Sequence, residues 1–193
     1  MEIPLTLRKS ADGRLSYGIP LWYRLATAAM LALVAAGIFT SGGSPSVIGW
    51  IILALLILGL VYEERWVVEP KTGRVLHYSG IWPAAKIISL GFGEIEEFSL
   101  GAFAKGTVPG STEEKADKER AFAMLNGRDS EEPGRPSIFK MGRRKPYITL
   151  LLRTREGGDY LVDSLPARSA RRLRAAGEAL AAAAGSRFES QGR

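Results

Sequence analysis

Few side chains in this chain have the type and spacing for chemistry. His77 is the only histidine and there is no cysteine, so thiol nucleophiles, disulfides and His- or Cys-based metal centres lack their groups. An imidazole on a strand beside Tyr78 is expected to be structural. Glu94, Glu96 and Glu97 lie close together, but alternation along a strand would put Glu94 and Glu96 on one face and Glu97 on the other, where solvation is the expected role. Gly91-Phe92-Gly93 lacks the rest of a dinucleotide fingerprint and leads into a strand. No catalytic, cofactor-binding or metal-binding residue is assigned, and the chain is expected to be neither an enzyme nor a cofactor carrier. Cations remain. Lys140, Arg143, Arg144 and Lys145 form the densest basic cluster, and Arg168, Arg171, Arg172 and Arg174 line one face of the last helix. Each such charge held near an anionic leaflet contributes about 1 kcal/mol, so lipid headgroups or a partner protein are the expected contacts. The plain alternative for the helix arginines is a solvated outer face over Ala170, Leu173, Gly177 and Leu180 packed inward. Nucleic acid is not expected, because the aromatics needed for base stacking are not interleaved with the basic residues.

The elements that must position these groups begin with an apolar stretch. Between Arg24 and Glu63 there is no charged residue. A bilayer crossing uses about 20 helical residues, so the stretch is too long for one crossing and long enough for two. The turn cluster Thr40–Ser46 divides it into helices at residues 21–39 and 47–62. Ala28, Ala32 and Ala36 recur at four-residue intervals and are expected to form a packing seam, against the second helix or another membrane protein. Trp22, Tyr23, Arg24, Tyr62 and Trp66 are expected at one membrane surface and Trp50 at the other. Arg8, Lys9, Arg14 and Arg24 precede the pair, Arg65, Lys71, Arg74 and Lys86 follow it, and the connecting loop carries no basic residue. Short cytoplasmic flanks hold the positive excess, so both termini are expected in the cytoplasm of a two-pass protein of a bacterial inner membrane. A cleaved signal peptide competes for the first helix. It is disfavoured because Ile3, Leu5 and Leu7, the turn Asp12-Gly13, and Leu15, Tyr17 and Ile19 form a β-hairpin pattern over residues 1–20.

Beyond Tyr62 the period changes to that of strands: Arg65–Glu69, Arg74–Ile81, Lys86–Phe92, Glu94–Phe103, Tyr147–Thr154 and Tyr160–Leu165. A closing helix follows, with Ser164 as its cap, Pro166 in its first turn and Gly185 after its last alanines. A membrane α-hairpin plus a mainly-β cytoplasmic domain is expected, an antiparallel barrel or sandwich of about six strands closed by a C-terminal helix over residues 63–185, with a flexible tail at 186–193. The run from Glu63 to Arg74, the strand-ending Gly93-Glu94-Ile95-Glu96-Glu97-Phe98, and Leu161-Val162-Asp163-Ser164-Leu165-Pro166 leading into a helix resemble bacterial pleckstrin-homology-like (PH-like) domain proteins with an N-terminal two-helix membrane hairpin. The layout is also similar to that of hairpin-anchored photosystem assembly factors. What the resemblance implies is a binding platform without a named ligand. Lys71-Thr72-Gly73-Arg74 stands where eukaryotic relatives bind phosphoinositides, though the match is partial.

One long insertion, 104–146, departs from that pattern. A capped helix is expected within it, from Ser111 to about Gly127, then coil, then the basic cluster. From Glu63 to Gly134 there are 9 basic and 13 acidic residues, and from Arg135 onward 13 and 5. Two functions follow from these features. One is a non-enzymatic accessory, scaffold or assembly subunit of a larger integral-membrane complex, bioenergetic and photosynthetic complexes being examples, docking through the first helix and the β-domain with its insertion. The other is an anionic-lipid or small-ligand sensing module on a PH-like scaffold.

Overall fold

The computed structural model describes residues 5–40, 46–104 and 146–190, and these form nine strands and three helices. They divide into two compact units, one from Ile3–Glu69 and Val75–Ser89, the other from Pro70–Arg74 and Leu90–Arg193. The architecture is mainly β.

The first unit holds β1 (Thr6–Lys9), β2 (Leu15–Gly18), α1 (Leu21–Thr40), α2 (Val47–Val61), β3 (Tyr62–Glu69), β4 (Arg74–Ile81) and most of β5 (Lys86–Gly91), and the strands hydrogen-bond in sequential order. Alternation buries Leu15, Tyr17, Trp66, Val68 and Val75. Leu7, Tyr17 and Trp66 are register partners across β1, β2 and β3. Arg14 reaches both Asp12 (3.0 Å) and Glu69 (3.3 Å), tying the β1–β2 turn to the end of β3. The N-terminal hairpin is therefore the edge of a sheet whose next strand lies beyond both helices.

No residue of α1 or α2 is buried. With 20 residues, α1 is long and apolar enough to cross a bilayer. The 15 residues of α2 span about 22 Å, against a hydrocarbon core of ~30 Å. Ser46 caps α2 by accepting from the Gly49 N–H at 3.2 Å. Tyr62 is already extended, so β3 starts without a linker, three residues before the expected Arg65. A Cβ on Gly59 would lie 3.8 Å from Thr27 Cγ2, which puts the start of α1 beside the end of α2. The half-buried seam of α1 runs through Thr27, Ala28, Leu31, Val34, Ala35 and Ile38. Of the alanines at four-residue intervals, Ala28 lies on this seam and Ala32 and Ala36 are exposed away from it. The half-buried face of α2 runs through Gly49, Leu53, Leu56, Gly59 and Leu60, so each helix brings both small and bulky residues to the seam.

The second unit holds β6 (Ile95–Ala104), β7 (Pro146–Thr154), β8 (Asp159–Pro166), α3 (Ala170–Ala184) and β9 (Arg187–Glu189), in the sheet order β8-β7-β6-β9. Ala104 and Pro146 are register partners, so the insertion leaves and re-enters at the ends of adjacent antiparallel strands. The helix expected within it lies outside the described residues. Phe98, Leu100, Ile148, Leu150, Leu152 and Val162 form the core with Leu173 and Leu180 of α3, as the apolar spacing of that helix requires. Three expectations change here. Ser164 and Pro166 belong to β8, where they pair with Thr149 and Tyr147, and α3 starts later, after a 3-10 turn at Ala167–Ser169. Residues 187–189 form β9, parallel to β6, rather than part of a flexible tail. The six strands expected between residues 63 and 185 are all present beside the two of the N-terminal hairpin, and β9 is the one addition, its pairing with β6 parallel rather than antiparallel.

Candidate functional site: the helix-bearing end of the five-stranded sheet

Both ends of the helix pair return to neighbouring strands. The Ile19 N–H donates to the Glu64 carbonyl at 3.3 Å where β2 gives way to α1, and the Trp82 N–H donates to the Val61 carbonyl at 3.0 Å where α2 ends. The start of α1, the end of α2 and the β4–β5 turn thus meet at one end of the sheet. Trp22 is 59% exposed and packs edge-on to Tyr23, with ring centroids 6.1 Å apart. The Tyr62 hydroxyl donates to Glu64 Oε2 at 3.2 Å. Trp82 is 67% exposed and flanked by exposed Ile81 and Ile87. An amphipathic ring beside an apolar helix end is the chemistry of a membrane interface. Its only sequence signal is the apolar run Ile81-Trp82-Pro83 between two strands, which does not by itself distinguish a membrane contact from a buried turn. Trp66 does not belong to this set. It is 1% exposed and stacked on His77 at 4.1 Å and 10°, because its place in β3 turns it into the core. Trp50, in the first turn of α2, is exposed.

The same end carries three guanidinium groups. Arg8 of β1, Arg24 of the first turn of α1 and Arg65 of β3 line a cavity of about 150 Å³ with Thr6, Ser16, Glu63 and Glu64. Arg65 is engaged, bonding Glu63 at 2.9 Å and lying 4.3 Å over the Tyr78 ring. Arg24 Nε is buried with no hydrogen-bond partner.

The other candidates lie elsewhere. His77 Nε2 and Trp66 Nε1 are buried without hydrogen-bond partners, and burial lowers the imidazole pKa from its ordinary 6.5. The carboxylates do not follow simple alternation. Glu94 sits in a 3-10 turn and accepts from the Gly91 N–H at 3.1 Å, and a bulge separates Ile95 from Glu97. Glu97 accepts from Arg153 at 3.1 Å, and Arg153 also bonds Asp159 at 3.1 Å. Desolvation and the nearby Glu189 nevertheless raise the Glu97 pKa, outweighing Arg153, whose side chain is 37% exposed. Arg168 is exposed in the 3-10 turn before α3 rather than on the helix, Arg171 and Arg172 are exposed on α3, and Arg174 lies half-buried against Glu178 at 3.5 Å. Lys140, Arg143, Arg144 and Lys145 lie outside the described residues. Among the described residues no three His, Asp or Glu side chains are grouped to hold a metal ion. A scan of protein-family models and a search of curated proteins found no match to this chain.

Proposed function

We propose that this chain is a non-enzymatic accessory or assembly subunit of a larger integral-membrane complex, anchored by α1 and α2 crossing the bilayer together as a hairpin. The supporting observation is an antiparallel pair of apolar helices with no buried residue, attached at both ends to one sheet. Leaving a Leu, Ile or Phe side chain in water rather than burying it forgoes about 1.5–3 kcal/mol, and Leu33 (75%), Phe39 (85%) and Val47 (76%) are only part of the exposed set. A soluble monomer does not sustain such a surface. The short α2 fits if the bilayer thins locally and Ser46 and Tyr62 take up the interfaces. Removal of α1 as a signal peptide would strip Tyr17, 1% exposed, from the sheet core. The basic flanks favour both termini in the cytoplasm of a bacterial cell, with the mainly-β units as a PH-like platform there. Docking falls to the outward face of α1 carrying Ala32 and Ala36, and to the insertion with its basic end.

Mild detergent extraction followed by native electrophoresis tests this directly. The chain is expected in a species much larger than itself. Replacing Ala32 and Ala36 by Trp should release it from that species while it stays in the membrane fraction. Migration of the unaltered chain as a small free species contradicts the proposal.

A further inference from the structure

We infer that the cavity lined by Arg8, Arg24 and Arg65 is a binding site for a phosphate group, supplied by the headgroup of a bilayer lipid. Three elements converge to make it. Thr6, Gly18 and Arg65 are register partners across β1, β2 and β3, and Arg8 pairs with Ser16, so alternation puts these polar residues on the face opposite Tyr17 and Trp66. Glycine at 18 lets β3 come close: a Cβ there would fall 2.6 Å from Arg65 Cβ. The first turn of α1 then brings Arg24 over the same space.

The charges inside are unbalanced. Three guanidinium groups face two carboxylates, Glu63 held by Arg65 and Glu64 hydrogen-bonded by the Tyr62 hydroxyl, which leaves one net positive charge. Neither Arg8 nor Arg24 has an acidic partner among the described residues, and Arg24 Nε–H is sealed from solvent with nothing to donate to. An anion in the cavity would instead meet the guanidinium groups of Arg8 and Arg24 that line it. The first turn of α1 has no acidic residue, so the positive end of its dipole adds to the field, although the Tyr23 N–H is taken by the Pro20 carbonyl at 3.1 Å. Two guanidinium groups with the Ser16 hydroxyl beside them match a phosphate, which Arg binds in bidentate fashion. At about 150 Å³ the cavity is too small for a nucleotide or drug-sized ligand and suits a compact anion.

The lipid source follows from position and rests on the proposal that α1 crosses the membrane. A spanning helix begins at the interface, and the cavity lies within one turn of Leu21, beside exposed Trp22. Its opening is then at the depth of lipid phosphates.

The test uses the full chain in detergent micelles, with phosphatidylglycerol titrated in and bound lipid counted by native mass spectrometry. One retained lipid is expected. Arg8→Gln with Arg24→Gln should weaken its retention about tenfold, Arg24→Lys less, and Arg168→Gln with Arg171→Gln not at all. Arg8→Gln alone, on an exposed strand residue, should weaken it severalfold and guards against misfolding of the double variant. Equal retention by wild type and both Arg8 variants, with the fold intact, overturns the site. Inorganic phosphate at millimolar concentration should not displace the lipid. Displacement, with phosphate binding to lipid-free protein, overturns the lipid source. Incorporation of wild type and variants alike into phosphatidylcholine nanodiscs separates this outcome from failure of the membrane proposal itself, in which no form of the chain enters the discs.

Discussion

Trp66 and Trp82 exchange the places their sequence neighbourhoods imply. Trp66 follows an apolar stretch by four residues, which is where an interfacial belt begins, yet strand pairing with Tyr17 decides its direction and buries it. Trp82 is remote in sequence from the helices and reaches the end of α2 only because β3 and β4 are neighbours. A non-local pairing of this kind leaves no trace in local periodicity. His77, stacked under Trp66, has a measurable consequence. Because burial holds its pKa below 6.5, the unfolded chain takes up a proton that the folded chain resists. Stability is then fully present above about pH 6.5 and declines as pH falls from there through the lowered value. In denaturant titrations of the purified chain at pH 5.5 and 7.5, His77→Gln should shrink that decline and cost no more than about 1–2 kcal/mol at the higher pH. An undiminished decline in the variant contradicts the assignment.

Among the elements, those with strong local signals stand where the sequence puts them. β4 runs Arg74–Ile81 as expected, and α3 ends at Gly185, whose φ of 66° suits the left-handed cap. β8 runs one residue past its expected end, with Pro166 paired to Tyr147, and the pairing of buried Leu165 with Ile148 overrides the capping signal of Ser164 and Pro166. β9 is only three residues long and parallel to β6, a register set by the approach of α3. Gly177 governs that approach. A Cβ there would lie 2.5 Å from the Phe188 ring and 2.8 Å from Leu150 Cδ1. Gly177→Ala gains about 1 kcal/mol in helix propensity but overpacks the contact by roughly 1–3 kcal/mol. Overpacking wins here, because Leu150 is fully buried and has no room to yield. A lower thermal midpoint is expected, together with faster amide exchange at residues 187–189. A raised midpoint would show that α3 does not sit against Phe188 and Leu150.

For the molecule as a whole, an apolar stretch bounded by charge marks the helix pair in the sequence, but its seam is not marked. The half-buried residues of α1 recur at mixed three- and four-residue steps, Thr27, Ala28, Leu31, Val34, Ala35 and Ile38, so a four-residue alanine repeat alone meets that seam only at Ala28. The cavity of Arg8, Arg24 and Arg65 was likewise invisible in the sequence, where the three residues are scattered and only the β1–β2–β3 register joins them. Every functional proposal for this chain depends on α1 and α2 crossing as a pair, with the sheet that receives both their ends on one side. Single cysteines in this cysteine-free chain measure that directly. In intact cells, Thr40→Cys at the far end of α1 should react with a membrane-impermeant maleimide, and Ser10→Cys and Ser190→Cys should react only after the membrane is opened. Labelling of Thr40→Cys from the same side as Ser10→Cys would contradict the hairpin.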